Sequence, residues 1–346
     1  MCIKLCNLQF ECYVSPCPFF YVTLCSVLLL RALSAAAGRP GVWRSWLAHL
    51  VWDQRVVCSS HITPTGKSLA PARLFPFLPF SYLWSMDIQQ IMDIVREAGT
   101  LMDRTGGFEV HDKGARENIV TSSDVAVQHF LTQRLGELLP GSGFLCEEED
   151  FADTAHEAVW IIDPIDGTAN YARGNENCCI SVALVRGGEL AMGVVFCPWR
   201  GELYSAEKGC GAFCNGKPIH VSDRTYERGL LFTAMSTYRK DLARSCSDII
   251  YDVYMACNDV RRTGSAAVEL CLMAAGFAEL YFEMRLMPWD YAAASLILLE
   301  AGGAACDFTG GFPSLYKPSM FIAANTREHC ERLLATVHKH LDQVPY

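Results

Sequence analysis

Two carboxylates three residues apart, Asp163 and Asp166, follow a short apolar run in the segment VWIIDPIDGTANY, 159–171. Val159 to Ile162 has the length and composition of a buried strand. Pro164 cannot donate to a strand ladder, and Gly167 permits backbone shapes closed to other residues, so the chain is expected to leave the sheet here. Thr168 and the residues beyond it then open a turn or helix whose N–H groups face the same way. Carboxylates bind hard divalent cations, and N–H groups at a helix start bind phosphate. The segment can supply both sites at once. Asp-Pro-x-Asp-Gly is equally ordinary turn chemistry after a strand, so the remainder of the chain must decide.

Three further acids have the right type. Glu147 lies 16 residues before Asp163 in the run Glu147-Glu148-Glu149-Asp150, entered from the apolar Phe144-Leu145. Taken alone, such a run is a solvated face. Asp290 begins a strongly apolar helix in MPWDYAAA, 287–294, where capping is a sufficient role. Asp124, in Thr121-Ser122-Ser123-Asp124, has the same alternative.

The elements that must position these acids are legible from periodicity. Asp87 and Gln90 pair as a cap, and Ile88, Ile91, Val95, Ala98 and Met102 recur at helical steps to an end near Gly106-Gly107. Val110 to Val120 is polar and forms a loop or short hairpin. A second helix, capped within 121–124, turns Val127, Phe130, Leu131, Leu135 and Leu138 to one face and stops at Pro140-Gly141. Strands are expected at Cys178–Val185, Leu190–Phe196, Leu203-Tyr204 and Ala212-Phe213, with Asn215-Gly216 as a tight turn. Beyond Leu230 the pattern alternates. Strand-like pieces at 230–235, 280–283, 304–308 and 321–324 are interleaved with helices at 264–275, 289–300 and 326–341, and Ser236 is placed to cap another helix. Strands early and alternation late imply a mixed α+β and α/β protein of two packed subdomains, about 86–228 and 229–346.

The net charge of −9 argues against a broad nucleic-acid-binding surface. Residues 1–85 differ from the rest of the chain: seven Lys or Arg against Glu11 and Asp53, and six of the 17 Cys. The apolar run Phe19–Leu30, with Ala35-Ala36-Ala37 after it, resembles a signal segment, but its core is too short for a confident membrane span. The Cys beyond residue 85 lack disulfide-like spacing, which favours a reducing, cytoplasmic setting over secretion. Met86 directly precedes the first amphipathic helix. Residues 1–85 are therefore expected to be a poorly ordered extension outside the functional fold, upstream sequence read from too early a start.

WIIDPIDGTANY together with FLCEEE, the 121–124 segment, RRTGSAAVELC (261–271) and PWDYAAAS (288–295) resembles the inositol monophosphatase family in motif and order, from about Met86 to the C-terminus. The resemblance implies a layered α-β-α-β-α sandwich, commonly a homodimer, and a Mg²⁺-dependent, lithium-sensitive phosphomonoesterase. It implies Glu147, Asp163, Asp166, Asp290 and the Ile165 carbonyl as metal ligands. It further implies Asp124 and Thr168, with Glu147, at the attacking water, and Gly167 and Thr168 N–H groups on the phosphate. Ala266, Glu283 and Asp290 fall at substrate positions and Lys113 at a basic position near the metals. A phosphate monoester is a dianion that repels its nucleophile, and Mg²⁺ would neutralise it and activate water.

Cys146 and Glu176 depart from the family's usual Gly and Pro, and the 149–158 stretch is short, which bears on substrate identity. The expected substrate is a small phosphorylated polyol or sugar, first myo-inositol 1-phosphate. A 3′-nucleotide, a sugar bisphosphate or histidinol phosphate are the alternatives within the same chemistry. A non-catalytic regulator binding RNA or a transcription factor would need a basic patch, for which Arg239-Lys240 with Arg244, or Arg261-Arg262, are the compact candidates. No nucleic-acid partner and no membrane association of 86–346 are expected.

Overall fold

The computed structural model describes residues 86–104, 106–115, 118–148, 152–235, 237 and 239–344, and the side chains of 112–118 lie outside that description. The expectations for residues 1–85, for Ser236 as a cap and for the Lys113 side chain fall outside the described part.

Helix α1 (Ile88–Gly99) is capped by Asp87, whose carboxylate accepts Gln89 N at 2.9 Å, and it ends well before the expected Gly106-Gly107. Its buried side chains, Ile91, Met92, Ile94, Val95 and Ala98, form one face. A hairpin of β1 (Val110–Ala115) and β2 (Asn118–Thr121) leads into α2 (Ser122–Leu138).

Eight strands come next as one sheet: β3 (Gly143–Cys146), β4 (Ala152–Asp153), β5 (Ala158–Asp166), β6 (Cys179–Arg186), β7 (Glu189–Cys197), β8 (Glu202–Glu207), β9 (Ala212–Cys214) and β10 (Lys217–Ile219). Their spatial order is β10-β9-β8-β7-β6-β5-β3-β4. All neighbours are antiparallel except β3 and β5, which run parallel. A four-residue helix, α3 (Thr168–Tyr171), separates β5 from β6.

The second half holds β11 (Leu230–Thr233), α4 (Ala243–Tyr254), β12 (Asp259–Arg261), α5 (Ala266–Ala274), β13 (Leu280–Leu286), α6 (Pro288–Glu300), β14 (Ala304–Cys306), β15 (Ser319–Ala324) and α7 (Arg327–His340). These strands form a mixed five-stranded sheet in the order β12-β11-β13-β15-β14.

Alternation along each strand builds the layers. On β5, Trp160 and Ile162 pack with α1 and α2, while Val159 and Ile161 pack with α5 and α6. The same two helices meet Tyr281, Phe321 and Ala323 of the second sheet, whose far face (Leu280, Phe282, Ile322) is covered by α4 and α7. The result is the α-β-α-β-α sandwich that the resemblance implies. Each fully buried side chain of this size contributes about 1.5–3 kcal/mol, so the middle layer is held from both sides. Gly193 shows how closely: a Cβ there would stand 2.6 Å from the Ala293 carbonyl, so only glycine lets α6 lie on β7.

Candidate active site

β5 carries the first two acids, and it does so differently from expectation. Pro164 does not end the strand. β5 runs on to Asp166, which pairs with Cys179, and the register slips between Asp163 and Asp166. A bulge absorbs the missing N–H of proline and re-aims the side chains around it. Asp163 Oδ1 accepts Ile165 N at 3.0 Å, which fixes the bulge from within. Gly167 then turns the chain at φ +88°, where a Cβ would lie 2.9 Å from the Asn177 carbonyl. Thr168 opens α3, and its hydroxyl faces the Ile165 carbonyl at 3.1 Å.

Glu147 is brought alongside by the parallel pairing of β3 with β5, in which Cys146 stands opposite Ile162 and Glu147 N donates to Ile162 O at 3.2 Å. A clamp from α2 holds the next residue: Gln128 Nε2 donates to Glu148 O at 2.8 Å and its Oε1 accepts Glu148 N at 2.9 Å. The acidic run is therefore not a free solvated face at this end.

Asp124 lies in the first turn of α2 and is fully buried. One carboxylate oxygen accepts Thr121 N at 2.8 Å and the Thr121 hydroxyl; the other faces the Thr168 hydroxyl at 3.2 Å across 44 residues of sequence. Capping and site geometry are the same contact set here, so the two roles are not exclusive. Asp290 also supplies a capping contact, as the third residue of α6 and not as its N-cap, which is Met287. It sits in the first turn, where its carboxylate accepts Met287 N at 2.7 Å. Ser181 on β6 donates to the Trp289 carbonyl at 3.2 Å and ties that helix start to the first sheet.

The charges of these acids meet. Burial raises Asp163 well above the carboxylate range, and the charges of Glu147, Asp166 and Asp290 raise it further; Asp163 also shares a hydrogen bond with Glu147. Burial raises Asp290 too, with the charges of Asp166 and Glu147 adding to it. Burial lifts Asp166 to about 6 against the pull of Ser265, Ala267 and other donors. Asp124 is lifted by burial to about 6, with its Thr121 bonds opposing. Among the described residues, no three His, Cys, Asp or Glu side chains stand close enough to form a ready-made metal cage. The fit to a hard cation rests on donor type and charge: oxygen donors only, Asp163 and Asp166 buried and Glu147 and Asp290 partly so, with like charges raising Asp163 and Asp290.

The other residues expected at substrate positions, Ala266, Glu283 and Asp290, lie on the second half of the chain. Asp166 Oδ2 accepts Ser265 Oγ at 2.6 Å and Ala267 N at 2.7 Å, so the N-terminus of α5 grips this carboxylate. Ala266, between those donors, is nearly buried. Glu283 accepts the Tyr281 hydroxyl at 2.8 Å and is lifted by burial to about 8, with the charges of Glu269 and Asp166 adding to the rise.

A model of the inositol monophosphatase family matches residues 86–342. The chain belongs to that family. It is 34% identical to the Nus factor SuhB of Escherichia coli K12 over 238 residues, 67% of this chain and 88% of that protein. Inositol monophosphatase 1 of Homo sapiens is 32% identical over 259 residues, covering 72% of this chain and 93% of its own. The solved structure of the Thermotoga maritima IMPase superposes with TM-score 0.66 at 30% identity, covering 74% of this chain and 98% of its own.

In this inositol monophosphatase family member two cavities among the described residues lie away from the acids. One of about 290 Å³ is lined by Tyr226, Asp252, Arg332 and Lys339, and one of about 500 Å³ by Arg239, Arg285, Asp307 and Lys317. Several of their cations are held by the chain itself, Arg332 by Glu227 at 2.6 Å and Arg239 by Asp241 at 2.7 Å. The acid cluster is the candidate site because like charges there raise one another. The basic candidates for a nucleic-acid patch are similarly engaged: Arg244 meets Asp248 at 3.0 Å and Arg261 meets Asp259.

Sequence reasoning missed the residues that hold the acids. Gln128 has no distinctive spacing, and Asn170, Ser265 and Glu269 lie inside WIIDPIDGTANY and RRTGSAAVELC without having been singled out there. Asn170 Nδ2 donates to the carbonyls of Asn177 at 2.7 Å and Thr263 at 2.8 Å, joining α3 to the loop before α5. Ser265, a helix-capping type in front of Ala266-Ala267, carried a further local signal that could have found it. No helix among the described residues is long and apolar enough to cross a membrane.

Proposed function

We propose that the protein hydrolyses a small phosphate monoester with Mg²⁺, and that its substrate is a phosphorylated polyol or sugar, first myo-inositol 1-phosphate. The observation that carries this is the meeting of Glu147, Asp163, Asp166 and Asp290 beside the Asp124–Thr168 hydroxyl contact. A structurally similar protein, an IMPase/NADP phosphatase at 25% identity and TM-score 0.64, is complexed with Mg²⁺ and phosphate.

In this proposal the four carboxylates and the Ile165 carbonyl hold Mg²⁺. When bound, the ion supplies neutralisation of the phosphate dianion and acidification of water. Asp124 and Thr168 orient that water. The Thr168 hydroxyl donates to Asp124, which leaves its own oxygen to accept a proton, and Asp124 at about 6 is matched to receive one near neutral pH. Gly167 and Thr168 offer backbone N–H groups to the phosphate. Glu283 accepts hydrogen bonds from the hydroxyls of a polyol, with Ala266 and Asp290 lining the same side.

The test is turnover of myo-inositol 1-phosphate, a nucleotide 3′-phosphate, a sugar bisphosphate and histidinol phosphate, each with and without Mg²⁺ and with added lithium. Release of phosphate from the inositol ester, dependent on Mg²⁺ and suppressed by lithium, is the expected result. A hundredfold preference for the nucleotide would replace the polyol assignment, and no Mg²⁺-dependent release from any of them would end the hydrolase proposal.

A further inference from the structure

Glu269 is an acid that the proposed chemistry does not use. It lies in the first turn of α5 and is 2% exposed, a costly place for a carboxylate without partners. Its Oε1 takes the N–H of Thr263 and, at 3.3 Å, the N–H of Gly264. These two amides belong to the turn that delivers Ser265, whose hydroxyl donates to Asp166 Oδ2 at 2.6 Å. The turn continues into α5, whose Ala267 N reaches the same oxygen at 2.7 Å. The other side of the turn is held by Asn170, through the Thr263 carbonyl at 2.8 Å. Asp166 comes from the first sheet and Ser265 from 99 residues later, so the Asp166 orientation depends on where this turn sits. Its two amides, without Glu269, would be left to find other acceptors.

We propose that Glu269 is a positioning residue for the metal site: by holding Thr263 and Gly264 it aims Ser265 and Ala267 at Asp166 and so fixes the carboxylate in the direction a divalent cation needs. This rests on the assignment of the acid cluster as a divalent-cation site. Partners that orient a ligand in this indirect way are commonly worth about 10–100-fold in metal affinity or activity.

The experiment measures Mg²⁺ binding by calorimetry and by the Mg²⁺-dependent rise in Tm, alongside activity, on the full chain. Glu269→Ala is expected to weaken Mg²⁺ binding about 10–100-fold, while Glu269→Gln, whose amide oxygen still accepts both N–H groups, stays within about threefold. Glu279→Gln is the control, another buried acid whose partners, Ser222, Arg224 and Leu230 N, are remote from the cluster in their contacts. It should lower Tm without moving Mg²⁺ affinity. If Glu269→Ala does not fold, Glu269→Asp replaces it. Combined with Ser265→Ala, it should weaken binding by less than the sum of the two single losses, because both changes act on the one carboxylate of Asp166. Unchanged Mg²⁺ affinity in a folded Glu269→Ala or Glu269→Asp, equal losses in Glu269→Ala and Glu279→Gln, or additive losses in the double variant would each overturn the proposal. A wild-type chain that binds Mg²⁺ but releases no phosphate from any ester would leave the positioning role standing and remove the hydrolase assignment. A wild-type chain that binds no Mg²⁺ would remove both.

Discussion

Two groups of buried acid in this molecule are built in opposite ways. Glu279 is 1% exposed and surrounded by donors: Ser222 Oγ at 2.6 Å, Leu230 N at 2.8 Å and the Arg224 guanidinium at 3.0 Å. Asp163, also 1% exposed, faces Glu147, Asp166 and Asp290. The first carboxylate has its neutralising charge supplied by the chain, and its role is to join β11 to β13 and the loop before them. The second group gathers like charge, which costs stability in isolation and which a cation bound as proposed would offset. Buried acid by itself therefore says little. The sign of what surrounds it separates a structural acid from a ligand.

The contrast can be broken most severely at Asp166. Asp166→Asn should lower phosphate release at least about 100-fold, more than the loss of an orienting partner, while Tm holds or rises because one repelling charge is gone. Steady-state kinetics with thermal denaturation checks both halves. A fall in Tm without loss of turnover would place Asp166 with Glu279 as a structural acid. The reverse is expected of Glu279→Ala: Mg²⁺ affinity unchanged, with unfolding free energy reduced by about 2–3 kcal/mol in a denaturant titration. That is less than for a fully buried pair because Arg224 is half-exposed.

A smaller effect sharpens the comparison through pH. Burial lifts Glu269 to about 7 from an ordinary 4.5. Its folded-state pKa exceeds its unfolded one, so the stability it contributes is complete below about 4.5 and is lost as pH rises through 7. In metal-free protein, Glu269→Gln should flatten the decline of Tm between about pH 5 and 8, because the amide does not ionise. An unaltered slope would mean that other groups carry the decline.

Much of the architecture is legible in the sequence, for specific reasons. The Thr121 cap, the amphipathic faces of α1 and α2 and the alternation along β5 are local, so residue type and spacing suffice to place them. The Asn215-Gly216 turn is visible for the same reason, and both residues take positive φ, 49° and 74°. Pro164 misleads because its lost donor argues for a break, whereas a bulge lets the strand continue to Asp166. Helix ends are also hard to place: α1 stops at Gly99 although Met102 continues its apolar rhythm, since Met102 is buried from outside the helix.

From its order of residues alone this chain determined its family, its helices and strands, and which acids could be ligands, because motifs and periodicities are short-range and survive without coordinates. The tertiary structure alone decided that Ser265 reaches back 99 residues to Asp166 and that Glu269 holds the turn that delivers Ser265. Those contacts are set by how two sheets pack on a shared pair of helices, and no spacing along the chain encodes a distance across a layer.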